Sequence, residues 1–122
     1  MAKKILLVDD ERETSSVFET ALKAGGFDVT VANDGKSALN LVKTTKFDGI
    51  LLDQMMPDLS GNEVLKTLKA SDATKNIPVA MLTNFSHDEM IKDALNAGAA
   101  DYILKYQIST DDLVEKAKKL VG

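Results

Sequence analysis

A chain of 122 residues is long enough to bury one hydrophobic core and too short for a core plus a second catalytic or DNA-binding module, so a single unit over 1–122 is expected. Its net charge of −4 offers no basic field for nucleic-acid phosphates, which makes proteins the expected macromolecular partners. The absence of cysteine excludes disulfides, thiolate metal sites and thiol nucleophiles, and no apolar run reaches secretory or membrane-spanning length, so a cytoplasmic protein is expected.

The first apolar run, Ile5-Leu6-Leu7-Val8, does not alternate in polarity, as a strand covered on both faces should not. It ends at Asp9 and Asp10. Val17/Ala21 and Phe18/Leu22 then lay an apolar stripe on a first helix, which Gly25-Gly26 stops. Val29-Thr30-Val31-Ala32 is milder and partly alternating, the pattern of an edge strand. Asp34 precedes a second helix striped by Ala38, Leu41 and Val42. Ile50-Leu51-Leu52 reads as an interior strand ending at Asp53. Ser60 and Glu63 have capping-box spacing ahead of a third helix with Val64, Leu65 and Leu68 on one face. Val79-Ala80-Met81-Leu82, again interior in pattern, leads to Thr83. Ser86 and Glu89 repeat the box spacing before a fourth helix striped by Met90, Ile91, Ala94 and Leu95. Tyr102-Ile103-Leu104 reads as a further interior strand and ends at Lys105. Ser109 with Asp112 opens a last helix carrying Leu113, Ala117 and Leu120.

Strict alternation of strand and helix, five times over, makes right-handed crossovers onto a parallel sheet with helices on both sides. The expected fold is a doubly wound α/β sandwich with strand order 2-1-3-4-5, in which strands 1 and 3 adjoin at the switch point where ligands bind. Asp9, Asp10 and Asp53 then meet.

Three converging carboxylates either take up protons or recruit a cation. Magnesium suits them better than calcium, because it uses one or two protein carboxylates and takes further ligands from water and phosphate, and no calcium-binding loop is present. Asp9 and Asp10 alone would read as caps of the first helix, a frequent job for aspartate after a strand. Asp53, Thr83 and Lys105 at further strand ends change that balance: an ammonium and a hydroxyl beside the acids are suited to a phosphoryl group.

Those positions stand in Val8-Asp9-Asp10-Glu11, Leu51-Leu52-Asp53-Gln54-Met55-Met56-Pro57, Met81-Leu82-Thr83 and Gly98-Ala99-Ala100-Asp101-Tyr102-Ile103-Leu104-Lys105. Through them the whole chain resembles the receiver domain of two-component response regulators, the chemotaxis-regulator-like fold. The resemblance implies that Asp53 accepts a phosphoryl group from the phosphohistidine of a sensor histidine kinase or histidine phosphotransfer protein. It implies magnesium bound by Asp10, Asp53 and the Met55 carbonyl, with Asp9 holding a water of the ion. Lys105 would touch a phosphoryl oxygen and Thr83 would bond the group after transfer. Tyr102 would turn inward with Thr83 and alter the face formed by the fourth helix, fifth strand and fifth helix, which a downstream protein target reads. Such a chain is a phosphoacceptor regulator rather than an enzyme, a monomer or a weak phosphorylation-dependent dimer.

Some residues depart from the family pattern. Tyr106 stands where proline usually follows the lysine, so a trans bond is expected there, and Asn84 stands where a small residue is usual. Met55 and Phe85, two positions beyond Asp53 and Thr83, are apolar and should shield an acyl phosphate from water.

Two other readings remain. A magnesium-dependent aspartate-nucleophile phosphatase of haloacid-dehalogenase type would need a second aspartate two positions after Asp53, where Met55 stands. A flavin-binding module would need a phosphate-cradling loop, and neither glycine-rich nucleotide motif occurs. His87, beside Asp88 and Glu89, reads as solvated, and Lys116, Lys118 and Lys119 read as charges near a negative helix end.

Overall fold

The non-alternating apolar runs form the middle of a sheet because both of their faces are covered. In the computed structural model, which describes residues 2–122, β1 (Lys4–Val8), β3 (Gly49–Leu52) and β4 (Val79–Thr83) bury every residue except Lys4. β2 (Asp28–Ala32) and β5 (Asp101–Leu104) lie at the two edges, giving an all-parallel sheet of order β2-β1-β3-β4-β5. Between and after the strands run α1 (Arg12–Ala24), α2 (Gly35–Thr44), α3 (Gly61–Ala70), α4 (Asp88–Asn96) and α5 (Thr110–Val121).

Successive strand residues face opposite layers. Leu6, Val8, Ile50, Leu52, Val79 and Met81 pack with Ala38 of α2, Val64, Leu65 and Leu68 of α3, and Ala94 of α4. Ile5, Leu7, Leu51, Ala80, Leu82 and Ile103 pack on the other side with Phe18 and Leu22 of α1 and Leu113 and Ala117 of α5. Each fully buried leucine or isoleucine contributes roughly 1.5–3 kcal/mol, so the strand ends project from a stiff platform.

The helix starts follow local chemistry. Asp34 accepts from the Ser37 amide at 2.7 Å, Ser60 and Glu63 form a complete capping box, and Ser109 accepts from the Asp112 amide at 3.1 Å. Gly26, at φ +98°, takes the left-handed turn that ends α1.

Four expectations fail in detail. Ser86 and Glu89 do not make a capping box: His87 is still extended, so α4 starts at Asp88 and Ser86 lies one residue too early to reach the orphan amides. Val17 is 55% exposed, because α1 turns its Ser15, Phe18 and Leu22 edge inward. Leu95 is 47% exposed, since Ala94 is the one fully buried residue of α4. β5 is an edge strand in which only Ile103 is fully buried; with a neighbour on one side alone, Tyr102 and Leu104 are half-covered.

The start of α3 sits against the site. A Cβ at Gly61 would fall on the Asp53 carbonyl oxygen and 2.8 Å from Met81 Cε. Gly61→Ala is therefore expected to destabilise the protein by about 1–3 kcal/mol. The urea midpoint checks it, and an unchanged midpoint would mean that α3 moves aside freely.

Candidate phosphoacceptor site

Register sets the site. Val8 pairs with Leu52 and the Asp53 amide donates to the Val8 carbonyl at 3.0 Å, so Asp9 and Asp53 leave the sheet at the same level. Both are buried, while Asp10 is exposed at the rim. One carboxylate oxygen from each of the three lies within 4.8 Å of the others. Lys105, one residue beyond β5, opens a 3₁₀ turn (Lys105–Gln107) and is itself 4% exposed. Its Nζ lies 2.7 Å from Asp53 Oδ2, 2.8 Å from Asp9 Oδ2 and 3.1 Å from Glu11 Oε1.

Burial pushes the Asp9 carboxyl up; Lys105 and the Glu11 amide, which donates to Asp9 Oδ1 at 2.9 Å, oppose that rise without cancelling it. Burial alone would push Lys105 down, but Asp53 and Asp9 outweigh it and hold the ammonium above the ordinary lysine range. One ammonium thus faces Asp9, Asp53 and Glu11, with Asp10 close by, and the excess is negative. Asp9 Oδ2 touches Lys105 only as an ion pair and receives no hydrogen bond of acceptable angle. A set of carboxylate oxygens without imidazole or thiolate, carrying more negative charge than one ammonium offsets, fits a hard divalent cation such as magnesium.

Around Asp53 the backbone is tied by a residue whose role the sequence did not suggest. Gln54 is 2% exposed. Its amide donates to Asp53 Oδ1 at 2.7 Å, its Nε2 donates to Asn62 Oδ1 at 2.8 Å, and its Oε1 accepts from the Asn62 amide at 3.0 Å. A carboxamide directly after a strand-end aspartate, eight residues before a second one at the start of a helix, was the signal available. Glu11 was likewise read only as part of a motif, not as a partner of Lys105.

Thr83 and Tyr102 meet through one residue. Thr83, fully buried at the end of β4, accepts from the Phe85 amide at a long 3.4 Å. The Tyr102 hydroxyl donates to the Phe85 carbonyl at 2.7 Å, and its ring packs on the α2–α3–α4 side of the core. Burial raises the Tyr102 phenol, with the neighbouring Gln54 side chain acting the other way. Met55 is 55% exposed and Phe85 half-buried. Tyr106 is 77% exposed, and no cis peptide occurs among the described residues, so the bond after Lys105 is trans. His87 is exposed, Lys116 pairs with Asp101 at 3.4 Å, and Lys118 with Glu115 at 3.5 Å, all on the surface.

Comparison with known proteins agrees with this geometry: the response regulator receiver domain model matches residues 5–118. The chain belongs to the receiver domain family. It is 38% identical over 121 residues to the phosphate regulon transcriptional regulatory protein PhoB of Escherichia coli, covering 99% of this chain and 52% of PhoB. The match to the transcriptional regulatory protein ZraR of the same species, 37% identical, covers 83% of this chain and 22% of ZraR. This receiver thus spans about half or less of the length of such relatives. The Francisella response regulator 1452 receiver domain superposes with a TM-score of 0.89 at 35% identity, over 98% of this chain and 96% of that one. The receiver domain of the Pseudomonas aeruginosa sensor histidine kinase PA1611, which has a magnesium ion in its active-site cleft, superposes at 0.90 with 27% identity, over 100% and 99%. Receivers of this family are phosphoacceptor signalling domains that partner with histidine kinases; the haloacid-dehalogenase alternative gains no support. Among the described residues no helix is long and apolar enough to cross a membrane.

Because Asp9 sits above its ordinary value of 3.8, the folded receiver binds a proton more readily than the unfolded chain, and stability grows as pH falls through the raised value. Lys105→Met removes the cation that restrains this rise. The variant is therefore expected to gain stability more steeply than the wild type as pH falls from neutrality toward the unfolded value of 3.8. Urea midpoints along that range test this, and parallel curves would contradict it.

Proposed function

We propose that residues 1–122 act as one receiver unit in which Asp53 takes a phosphoryl group from the phosphohistidine of a sensor kinase or phosphotransfer protein. The observation that carries this is the Lys105 ammonium 2.7 Å from Asp53 Oδ2, inside a cluster of carboxylates. An Asp53 oxygen forms the new P–O bond as the P–N bond breaks, and its electron pair returns to the imidazole of the donor. Asp10, Asp53 and the Met55 carbonyl would hold magnesium, with Asp9 behind them, and the bound ion supplies neutralisation of charge on the phosphoryl oxygens. Lys105, held charged, stabilises the same oxygens from the side of β5.

Transfer then changes the needs of Thr83. Its bond from the Phe85 amide is long, so little is lost when the side chain turns to donate its hydroxyl proton to a phosphoryl oxygen. Phe85 also supplies the acceptor for Tyr102 through its carbonyl, so a shift of this one residue alters how firmly the aromatic is held. The readout is the α4–β5–α5 face, presented to a protein target in the cytoplasm by a monomer or weak dimer. No free substrate turns over: Met55 stands where an aspartate-nucleophile phosphatase carries its proton donor.

Intact-mass measurement with magnesium and a phosphoramidate donor is expected to show one added phosphoryl group on the wild type and none on Asp53→Ala or after chelation. Equal labelling of Asp53→Ala would refute the assignment. Once formed, the acyl phosphate is expected to persist, because the apolar side chains two positions beyond Asp53 and Thr83, Met55 and Phe85, would shield it from water. A Met55→Asn, Phe85→Ala variant should lose phosphate about tenfold faster, a barrier change of roughly 1.4 kcal/mol, and an unchanged rate would remove the shielding role.

A further inference from the structure

Between the Gln54 clasp and the start of α3, the chain passes through Met55, Met56, Pro57, Asp58 and Leu59. Among the described residues, none of these five makes a backbone–backbone hydrogen bond, and no donor reaches the Met55 carbonyl. Met56 and Leu59 lie half-buried against the core, while Met55, Pro57 and Asp58 are exposed. The polar anchoring of this segment falls to one carboxylate. Asp58 Oδ1 accepts from the Gly35 amide at 3.0 Å and from the Leu59 amide at 2.8 Å, and its Oδ2 accepts from the Lys36 amide at 2.9 Å. Gly35 and Lys36 are the first two residues of α2, a different element from either end of the loop.

We propose that Asp58 is a positioning residue for the metal site: by fastening the β3–α3 loop to the first amides of α2, it holds the Met55 carbonyl where a divalent cation coordinates. The inference rests on the phosphoacceptor reading, since it concerns the same cation.

Two features separate this from ordinary helix capping. Asp34 already serves as the N-cap of α2 through the Ser37 amide, so Asp58 is not needed to begin the helix. Its bonds instead join parts of the chain 22 and 23 residues apart, and two of them cross from loop to helix. The backbone amides of Gly35 and Lys36 hold the Asp58 carboxyl below the ordinary range, so the tether stays charged across neutral pH. The contact is also close-packed: a Cβ at Gly35 would come within 2.8 Å of Leu59 Cβ, so the start of α2 and the loop meet directly beside the Asp58 bonds. A metal ligand that is a main-chain carbonyl has no rotamer of its own, and its position is that of the peptide carrying it. Groups that orient a ligand typically change metal affinity by 10–100-fold when removed.

The test compares magnesium binding by titration calorimetry in the wild type, Asp58→Ala, Asp58→Asn and Asp34→Ala, with thermal unfolding of each metal-free protein. Asp58→Ala is expected to weaken magnesium binding about tenfold and Asp58→Asn, which keeps a single acceptor oxygen and sets an NH₂ donor against the remaining backbone amide, by less. Asp34→Ala is expected to lower the unfolding temperature at least as much as Asp58→Ala while leaving magnesium affinity within about twofold of the wild type. Deuterium exchange at the Leu59 and Lys36 amides in the metal-free Asp58→Ala protein should rise, which reads the tether without any cation. Equal affinity of Asp58→Ala and the wild type, or equal weakening in Asp34→Ala, overturns the inference and leaves the phosphoacceptor reading standing. A wild type that binds no magnesium overturns both.

Discussion

The contact of the Lys105 ammonium with the Asp53 and Asp9 carboxylates is the constraint around which the rest is arranged. Taking three charged groups out of water carries a desolvation penalty of several kcal/mol per ion, which mutual attraction repays only when the geometry is good and stays good. Such a cluster does not stabilise a fold as well as leucines would. It persists because the platform beneath it is over-determined: three strands with every residue but Lys4 buried, parallel pairing that brings Asp9 and Asp53 to one level, and two apolar layers that fix the sheet from both sides. Stability made by Ile5, Leu51, Leu82 and their neighbours is what allows an unfavourable concentration of like charge at the carboxyl ends.

The surroundings of the cluster are unequal. On the side of β3 the chain is fastened by the Gln54–Asn62 clasp, the Gly61 amide on the Gln54 carbonyl at 2.9 Å, and a complete cap on α3. On the side of β4 the fastenings are few. Thr83 has one long bond, Asn84 Oδ1 is buried without a partner, α4 has no side-chain cap, and only Ala94 of that helix is fully buried. Segments with few buried apolar contacts and weak caps open at lower free energy than the core. A receiver needs this division, since the ligands of a metal and the nucleophile must stay put while the reporting surface changes state. The asymmetry lies in the packing itself, before any phosphoryl group arrives.

Sequence reasoning reached the platform and the cluster for one physical reason. Continuous apolar runs mark strands covered twice, and a polar residue that ends each run must emerge at the same edge of a parallel sheet. Asp9, Asp10, Asp53, Thr83 and Lys105 were therefore readable from position alone, as were the caps at Asp34, Ser60 and Ser109. What was not readable depends on the path of a loop rather than on a period. Glu11 reaches Lys105 across 94 residues, and Gln54 reaches Asn62 across a turn. Tyr102-Ile103-Leu104 has the composition of an interior strand and lies at an edge, because local polarity does not record how many neighbours a strand acquires. Ser86 and Glu89 have the right spacing and fail because His87 is not yet helical, which spacing cannot report.

The same site suits the signalling role of a receiver. Hydrolysis of an acyl phosphate is quickened by a base that takes a proton from water, and beside Asp53 that work could fall only to carboxylates, of which Asp9 and Glu11 are engaged by Lys105. Lys105 is held charged by the acids it touches, so it has no lone pair to offer. His87 is exposed ahead of α4, and Met55 and Phe85 bring no titratable group at all. Charge neutralisation at the phosphoryl oxygens, rather than proton transfer, is what a buried ammonium among carboxylates is arranged to provide, which suits a receiver, whose product is a conformation.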